Sequence, residues 1–378
     1  MEITQTNTKI KQLYELGQSI WLDFISCSLI NDGQLSNLID LGVTGITSNP
    51  TIFDKAISSS NDYDEKIKEL KNKGLNVFEI YDELTVGDIK DAADLFMPIF
   101  KESKGIDGYI SLEVNPSLAY NTKDTIKEAK RLHKKVNKPN VMFKIPATEN
   151  GLEAGKILLS EGISINFTLI FSLEQYIRAT DVYIKGAEEF FMRGGDLGSI
   201  SSAASVFVSR IDTLTDSIIE IKLTDQKDIL KKKILQSLYG KTAVANSKLI
   251  YQKFLEIFSN KEFLVLEEKG LRKQRVIWAS TSAKNPAYNS LKYVTELIGK
   301  STINTLPKST IDIFLNEGIV QNTLNQEAEE SQEIINKLKD FGIDIKEVCA
   351  QLLRGGIKAF EESFNFLLKS IEYKKQKL

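Results

Sequence analysis

Short, β-rich apolar runs alternate with longer segments of helical spacing along the whole chain. The runs are SIWLDFI (19–25), VTGITSN (43–49), YISLEV (109–114) and VMFKIP (141–146). ISINFTLIF (163–171), SVFVS (205–209), RVIWAS (275–280) and a weaker TINTL (302–306) follow. Between them, Leu173, Tyr176, Ile177, Thr180, Ile184, Ala187 and Phe191 fall on one face of a helix. Ala243, Ser247, Ile250, Phe254 and Phe258 do the same further on. Repeated strand-then-helix order implies parallel strands with crossover helices. Eight such units predict an α/β fold, a (β/α)8 TIM barrel with additional helices; an open doubly wound sheet has a similar pattern and is the alternative.

The segments at about 76–103, 211–270 and 322–378 exceed a single crossover and predict helical elaborations. No low-complexity linker or internal repeat divides the chain, so one domain over 1–378 is the simpler reading. The charged run KLTDQKDILKKK reads as a solvated helix face or a connection. Arg193-Gly194-Gly195-Asp196 and Arg354-Gly355-Gly356 have the look of phosphate loops, but helix-ending turns suit them better, since Gly supplies the left-handed cap.

Parallel strands are covered on both faces and normally read as unbroken apolar runs. Several here carry polar groups at period-two positions near their C-terminal ends. In ISLEVNP, Ser111, Glu113 and Asn115 share one face, opposite Ile110, Leu112 and Val114. In SINFTLIF, Ser164, Asn166 and Thr168 oppose Ile165, Phe167 and Leu169. Asp23 interrupts WLDFI, and Lys144 interrupts VMFKIP. An unpartnered buried charge is costly, yet four strands that each turn a polar group inward explain one another. They predict a polar cavity at the C-terminal mouth, where barrels place their chemistry. A purely structural ion pair of Lys144 with Glu113 or Asp23 fits the pattern equally well.

Composition narrows the chemistry. The single histidine, His133, sits in the polar stretch KRLHKKVNK and reads as a solvated helix residue. Histidine triads, His-based zinc sites and ordinary His acid/base work are thereby all but excluded. The two cysteines, Cys27 and Cys349, lack metal-ligand spacing and fit a reducing cytoplasm. A net charge of -2 gives no reason to expect nucleic acid or an anionic membrane. The opening residues MEITQTNTKIKQLYELG lack the apolar core of a signal peptide, and no run reaches transmembrane length. Without GxGxxG before a helix, a P-loop or a ligand cluster, neither cofactor nor metal is expected. Lys, Asp, Glu and hydroxyls must carry any reaction. Lys144 stands out because its sequence neighbours Val141, Met142, Phe143, Ile145 and Pro146 are apolar. At a pKa near 10.4 only about one lysine in a few thousand is neutral at pH 7. Desolvation is expected to lower that value and free the amine for attack on a carbonyl, with nearby carboxylates moving the protons.

At these residues the chain resembles the transaldolases, in the long form found in bacteria and plants. The landmarks occur in order: WLDFIS, VTGITSNPTIF, SLEVNP, VMFKIPAT, SINFTLIFS, SVFVSRID and WASTSAKNP, then NTLP. The resemblance implies a cytoplasmic enzyme that moves a dihydroxyacetone unit between sugar phosphates through a Schiff base on Lys144. It implies that Asp23 handles the hydroxyl proton at the bond being broken. Glu113 with Thr168 would position a water for imine formation and hydrolysis. Asn49, Asn166 and Ser205 would hold the dihydroxyacetone unit, and Arg210 and Ser280 the phosphate. Arg210 is expected to end an apolar strand. Shorter family members have an arginine soon after the serine; here Thr281, Ser282 and Ala283 lead to Lys284, a candidate replacement as a point charge, with a surface salt bridge as the alternative. A class I aldolase that releases free dihydroxyacetone, and a non-catalytic sugar-phosphate-binding barrel, are the rival readings. The partners implied are small sugar phosphates, with a monomer or homodimer left open.

Overall fold

Eight parallel strands lie in chain order around a closed barrel. They are β1 (Gln18–Leu22), β2 (Val43–Thr47), β3 (Ile110–Glu113), β4 (Val141–Pro146), β5 (Ile165–Ile170), β6 (Ser202–Phe207), β7 (Arg275–Ala279) and β8 (Thr302–Leu306). Pairing of β8 with β1 closes the ring and rules out the open sheet. This computed structural model describes residues 7–325 and 328–378. The first six residues of the opening segment, and 326 and 327 of the last elaboration, lie outside the described residues.

The strand ends differ from the sequence reading in ways that matter for the site. β6 begins three residues earlier than SVFVS, because Ser202 and Ala203 pair with Ile165 and Arg275 although their side chains are small. It stops at Phe207, so Arg210 does not end a strand; it lies in the first turn of the helix Ser209–Asp225. β2 stops at Thr47, and Asn49 beyond it caps the helix Pro50–Ser58 by accepting the Ile52 N–H at 3.0 Å.

The barrel axis is filled in layers. Trp21, Tyr109, Met142, Ala203, Ile277 and Ile303 pack together as a buried apolar layer. Gly45 makes room for it, since a side chain there would come within 2.6 Å of the Trp21 ring. On the N-terminal side of this layer, buried Asp107 accepts from Ser19 Oγ (2.6 Å), Trp21 Nε1 (3.0 Å), Thr44 Oγ1 (3.1 Å) and Arg275 Nη1 (2.9 Å). On the C-terminal side stand the polar residues of the site. Buried charge is tolerated at both ends because each group meets oppositely charged or hydrogen-bonding partners.

Helices add to the barrel in the three long segments. Val77–Glu102 opens on a capping box between Asn76 and Glu79. The second segment carries Ser209–Asp225, Ile229–Ser237, Thr242–Ile257 and Lys261–Glu268, and the charged run straddles the break between the first two. The third carries Ala328–Asp340 and the 33-residue C-terminal helix Ile345–Lys377. Arg193 and Gly194 do end a helix, with Gly194 at φ +86°. Arg354-Gly355-Gly356 does not: it lies inside the C-terminal helix. Gly is tolerated there because Gly356 packs directly against Leu169, where a side chain would come within 2.9 Å. Phe191, on the helix Leu173–Met192, is 40% exposed and lies beneath the Lys269 ammonium rather than in the core. His133 is exposed on the helix Thr122–Val136.

Candidate active site

Register builds the floor of the site. Glu113 on β3 lies opposite Lys144 on β4, and Lys144 lies opposite Asn166 on β5. Three polar side chains thus occupy one row across adjacent strands, inside the ring. Lys144 is buried, and its Nζ donates to Thr47 Oγ1 at 3.2 Å and the Ser48 carbonyl at 3.0 Å. Glu113 Oε2 stands 3.5 Å from the same nitrogen. The amine therefore faces oxygen acceptors, because the apolar residues beside it in sequence alternate outward or fall into other layers. Neither Glu113 oxygen accepts a hydrogen bond, and burial raises its carboxyl to about 7 against the opposing pull of Lys144. Thr168 Oγ1 is likewise buried without a hydrogen-bond partner.

Asn166 is fixed in one orientation. Its Nδ2 donates to Ser111 Oγ at 3.0 Å, and its Oδ1 accepts from Ser205 Oγ at 2.8 Å. Asp23 follows β1 directly, its N–H held by the Leu306 carbonyl at 2.9 Å. Desolvation pushes its carboxyl up, while the positive charges of Lys144, Lys284 and Lys55 pull it down.

Above this floor opens a cavity of about 590 Å3. Lys144, Asp23, Asn49, Ser205, Arg210, Ser280 and Lys284 all line it; Glu113, Asn166 and Thr168 stand behind its wall. Arg210 is half-buried, with its guanidinium 5.5 Å from the centre of the Phe207 ring and no carboxylate partner among the described residues. Ser280 has φ +55°, an uncommon conformation for a serine, and its Oγ lies 3.2 Å from Ser209 Oγ. The two serines meet at the start of the helix Ser209–Asp225, which no side chain caps. A helix start beside an unpaired guanidinium is a ready anion site. Lys284 is exposed on the loop after β7 and also borders a smaller pocket containing Asp216 and Glu220.

Sequence reasoning passed over several lining residues. Thr47 and Ser48 hold the amine; Thr47 shares the period-two face with Gly45 and Asn49, which is the signal that could have found it. Lys55 and Lys308 add positive charge to the rim. Phe360 reaches the cavity from the C-terminal helix, a contact no local pattern encodes.

The arrangement offers a buried amine, a carboxyl titrating near neutrality beside it, a second carboxyl facing the cavity and a cationic pole, which together suit imine chemistry on an anionic carbonyl compound. Known proteins agree with the geometry. The family model described as Transaldolase/Fructose-6-phosphate aldolase matches residues 20–371. A protein of Trichodesmium erythraeum named Transaldolase is 44% identical over 97% of both chains. One of Saccharopolyspora erythraea with the same name is 43% identical, again over 97% of both. A third, from Thiobacillus denitrificans, is 41% identical over 96% of this chain and 99% of its own. With its barrel, its buried lysine and these full-length likenesses, the chain belongs to the transaldolase/fructose-6-phosphate aldolase family.

Proposed function

We propose that this protein is a transaldolase, transferring a dihydroxyacetone unit from sedoheptulose 7-phosphate to glyceraldehyde 3-phosphate and yielding erythrose 4-phosphate and fructose 6-phosphate. The observation that carries the proposal is the Lys144 amine, held between Thr47, Ser48 and Glu113 beside the cavity that Asp23 lines.

The neutral amine adds to the ketose carbonyl, and the resulting carbinolamine loses water to give an imine. Glu113 and Thr168, whose oxygens have no protein hydrogen-bond partner, hold a water that relays the protons of this step. Asp23 then accepts the proton of the C4 hydroxyl as the C3–C4 bond breaks and the aldose leaves. The electron pair is retained as an enamine on the lysine. The enamine attacks the aldehyde of the second aldose, Asp23 returns its proton to the new hydroxyl, and water releases the ketose. Asn49, Asn166 and Ser205 orient the three-carbon unit. The Asn49 and Asn166 amides are neutral and cannot compete with the amine for protons. Arg210, Ser280, Lys284 and the helix start at Ser209 receive the phosphate. The enzyme works in the cytoplasm on dissolved sugar phosphates, as a monomer or homodimer, with no cofactor, metal or nucleic-acid partner. No helix among the described residues is long and apolar enough to cross a membrane.

Reduction with borohydride in the presence of fructose 6-phosphate is expected to fix a three-carbon adduct on Lys144, read by peptide mass. A Lys144→Ala protein with full activity would end the proposal. The family description also names an aldolase. Steady release of free dihydroxyacetone without an acceptor aldehyde would favour that activity over transfer.

A further inference from the structure

A second cavity, of about 790 Å3, opens at the opposite end of the barrel, where the turns entering β1, β3, β6, β7 and β8 meet. It shares no lining residue with the substrate cavity, and the apolar layer of the axis lies between the two. Five cationic side chains line it against two carboxylates. Two of the five are matched: Arg275 pairs with buried Asp107 at 2.9 Å, and Lys273 lies 3.6 Å from Glu267. Lys104, Arg272 and Lys300 have no carboxylate partner among the described residues, in a chain whose net charge is -2.

Arg272 is held in place by neutral groups. Its Nη2 and Nε donate to the Lys104 carbonyl at 2.6 and 3.2 Å, and its Nη1 to the Ile200 carbonyl at 3.2 Å. Carbonyl oxygens orient a guanidinium without cancelling its charge, and one N–H remains on each terminal nitrogen. Gly105, at φ +75°, allows the guanidinium to lie against the turn, since a side chain there would come within 2.7 Å of Nη2. Lys104 and Lys300 are exposed and line the same cavity as this fixed charge. The walls are partly apolar, with Tyr14 44% and Ile106 54% exposed. An oriented guanidinium with two exposed ammonium groups suits a phosphate. The aromatic and aliphatic surface suits an organic group, and the volume falls in the range of small-ligand sites.

We propose that this cavity binds a small organic phosphate bearing two or more negative charges, with the phosphates on Lys104, Arg272 and Lys300 and the organic part against Tyr14 and Ile106. The site is independent of the Lys144 chemistry, so either can fail without the other. Isothermal titration at low ionic strength tests it with ADP as probe. The Arg210→Gln protein serves as host, because its substrate-side anion site is weakened. One ADP is expected to bind per chain, about tenfold more weakly after Lys104→Gln and Lys300→Gln together, and more weakly in high salt. Both lysines are exposed, and circular dichroism checks that the doubly substituted protein is folded. Adenosine alone is expected to give no saturable heat. Absence of ADP binding to the Arg210→Gln protein, affinity unchanged by the two lysine substitutions, or adenosine binding as tightly as ADP each overturns the proposal.

Discussion

Burial raises the carboxyls of both Glu113 and Asp88 to about 7, and the two make opposite demands on the protein. Glu113, at about 7, is the carboxyl we propose for the proton relay. As a base in imine formation it must be ionised, and its ionised fraction falls as pH drops through 7. The kcat/KM of the enzyme is therefore expected to decline on the acid side of about 7, and Glu113→Gln to abolish that break along with most of the activity; an unchanged profile in the variant would remove Glu113 from the proton relay. Asp88, also raised to about 7 by burial, lies away from the cavity and accepts the Tyr63 hydroxyl at 2.6 Å. Its folded value exceeds the ordinary 3.8, so the stability it contributes is complete below that value and disappears as pH rises through 7. Asp88→Asn keeps an acceptor for Tyr63 and removes the titration. Its stability relative to the parent should rise by on the order of 2 kcal/mol between pH 5 and 8, measured by urea unfolding, whereas parallel pH dependences would contradict this. Lys144, Glu113 and Asp23 were legible in the sequence because a charge inside an apolar strand is an anomaly. Asp88 was not, because an acid in an amphipathic helix looks solvated until the fold shows what covers it.

Elements rather than single residues bring the cationic pole together. Arg210 rides on the helix Ser209–Asp225 and Lys284 on the loop after β7, and two tyrosine–carboxylate bonds join these supports. Tyr288 donates to Asp216 at 2.5 Å, and Tyr293 donates to Asp212 at 2.8 Å. The Gly240 N–H, from the turn before Thr242–Ile257, also donates to Asp216 at 3.0 Å, so the added helices brace the loop. Tyr288→Phe removes one such bond, about 1 kcal/mol. It should raise KM for glyceraldehyde 3-phosphate by about fivefold and leave unphosphorylated glyceraldehyde unaffected. Equal effects on both substrates would mean a general loosening. Eight strands could be read from the chain because β-rich runs recur between helical faces. Their limits were harder to read: Ser202-Ala203 has the composition of a loop and is a strand through its pairing, while Gly355-Gly356 has the composition of a turn and lies within a helix whose Gly356 packs on Leu169.

Across the whole molecule, the C-terminal helix returns over the mouth of the barrel, tied to the helix Pro50–Ser58 by Ser363 and Thr51 at 2.8 Å and to Asp64 by Lys374 at 2.5 Å. Phe360 descends from it into the substrate cavity, 6.5 Å from the Phe207 ring. Phe360→Ala is expected to cost about 3 kcal/mol of stability in denaturant unfolding and to raise KM while leaving borohydride trapping at Lys144 intact. Loss of trapping in a folded variant would instead assign the ring to the chemistry. Contact between residues this distant along the chain follows from the return of the C-terminal helix over the mouth. Closure of the barrel limits how the two ends communicate. Trp21, Tyr109, Met142, Ala203, Ile277 and Ile303 plug the bore, so the barrel is no conduit, and a molecule leaving one rim reaches the other only through bulk solvent. Any influence of an occupant at one rim on the other must travel as a tilt of the staves. β7, with Arg275 at its foot and Ser280 just past its head, is a direct lever between them.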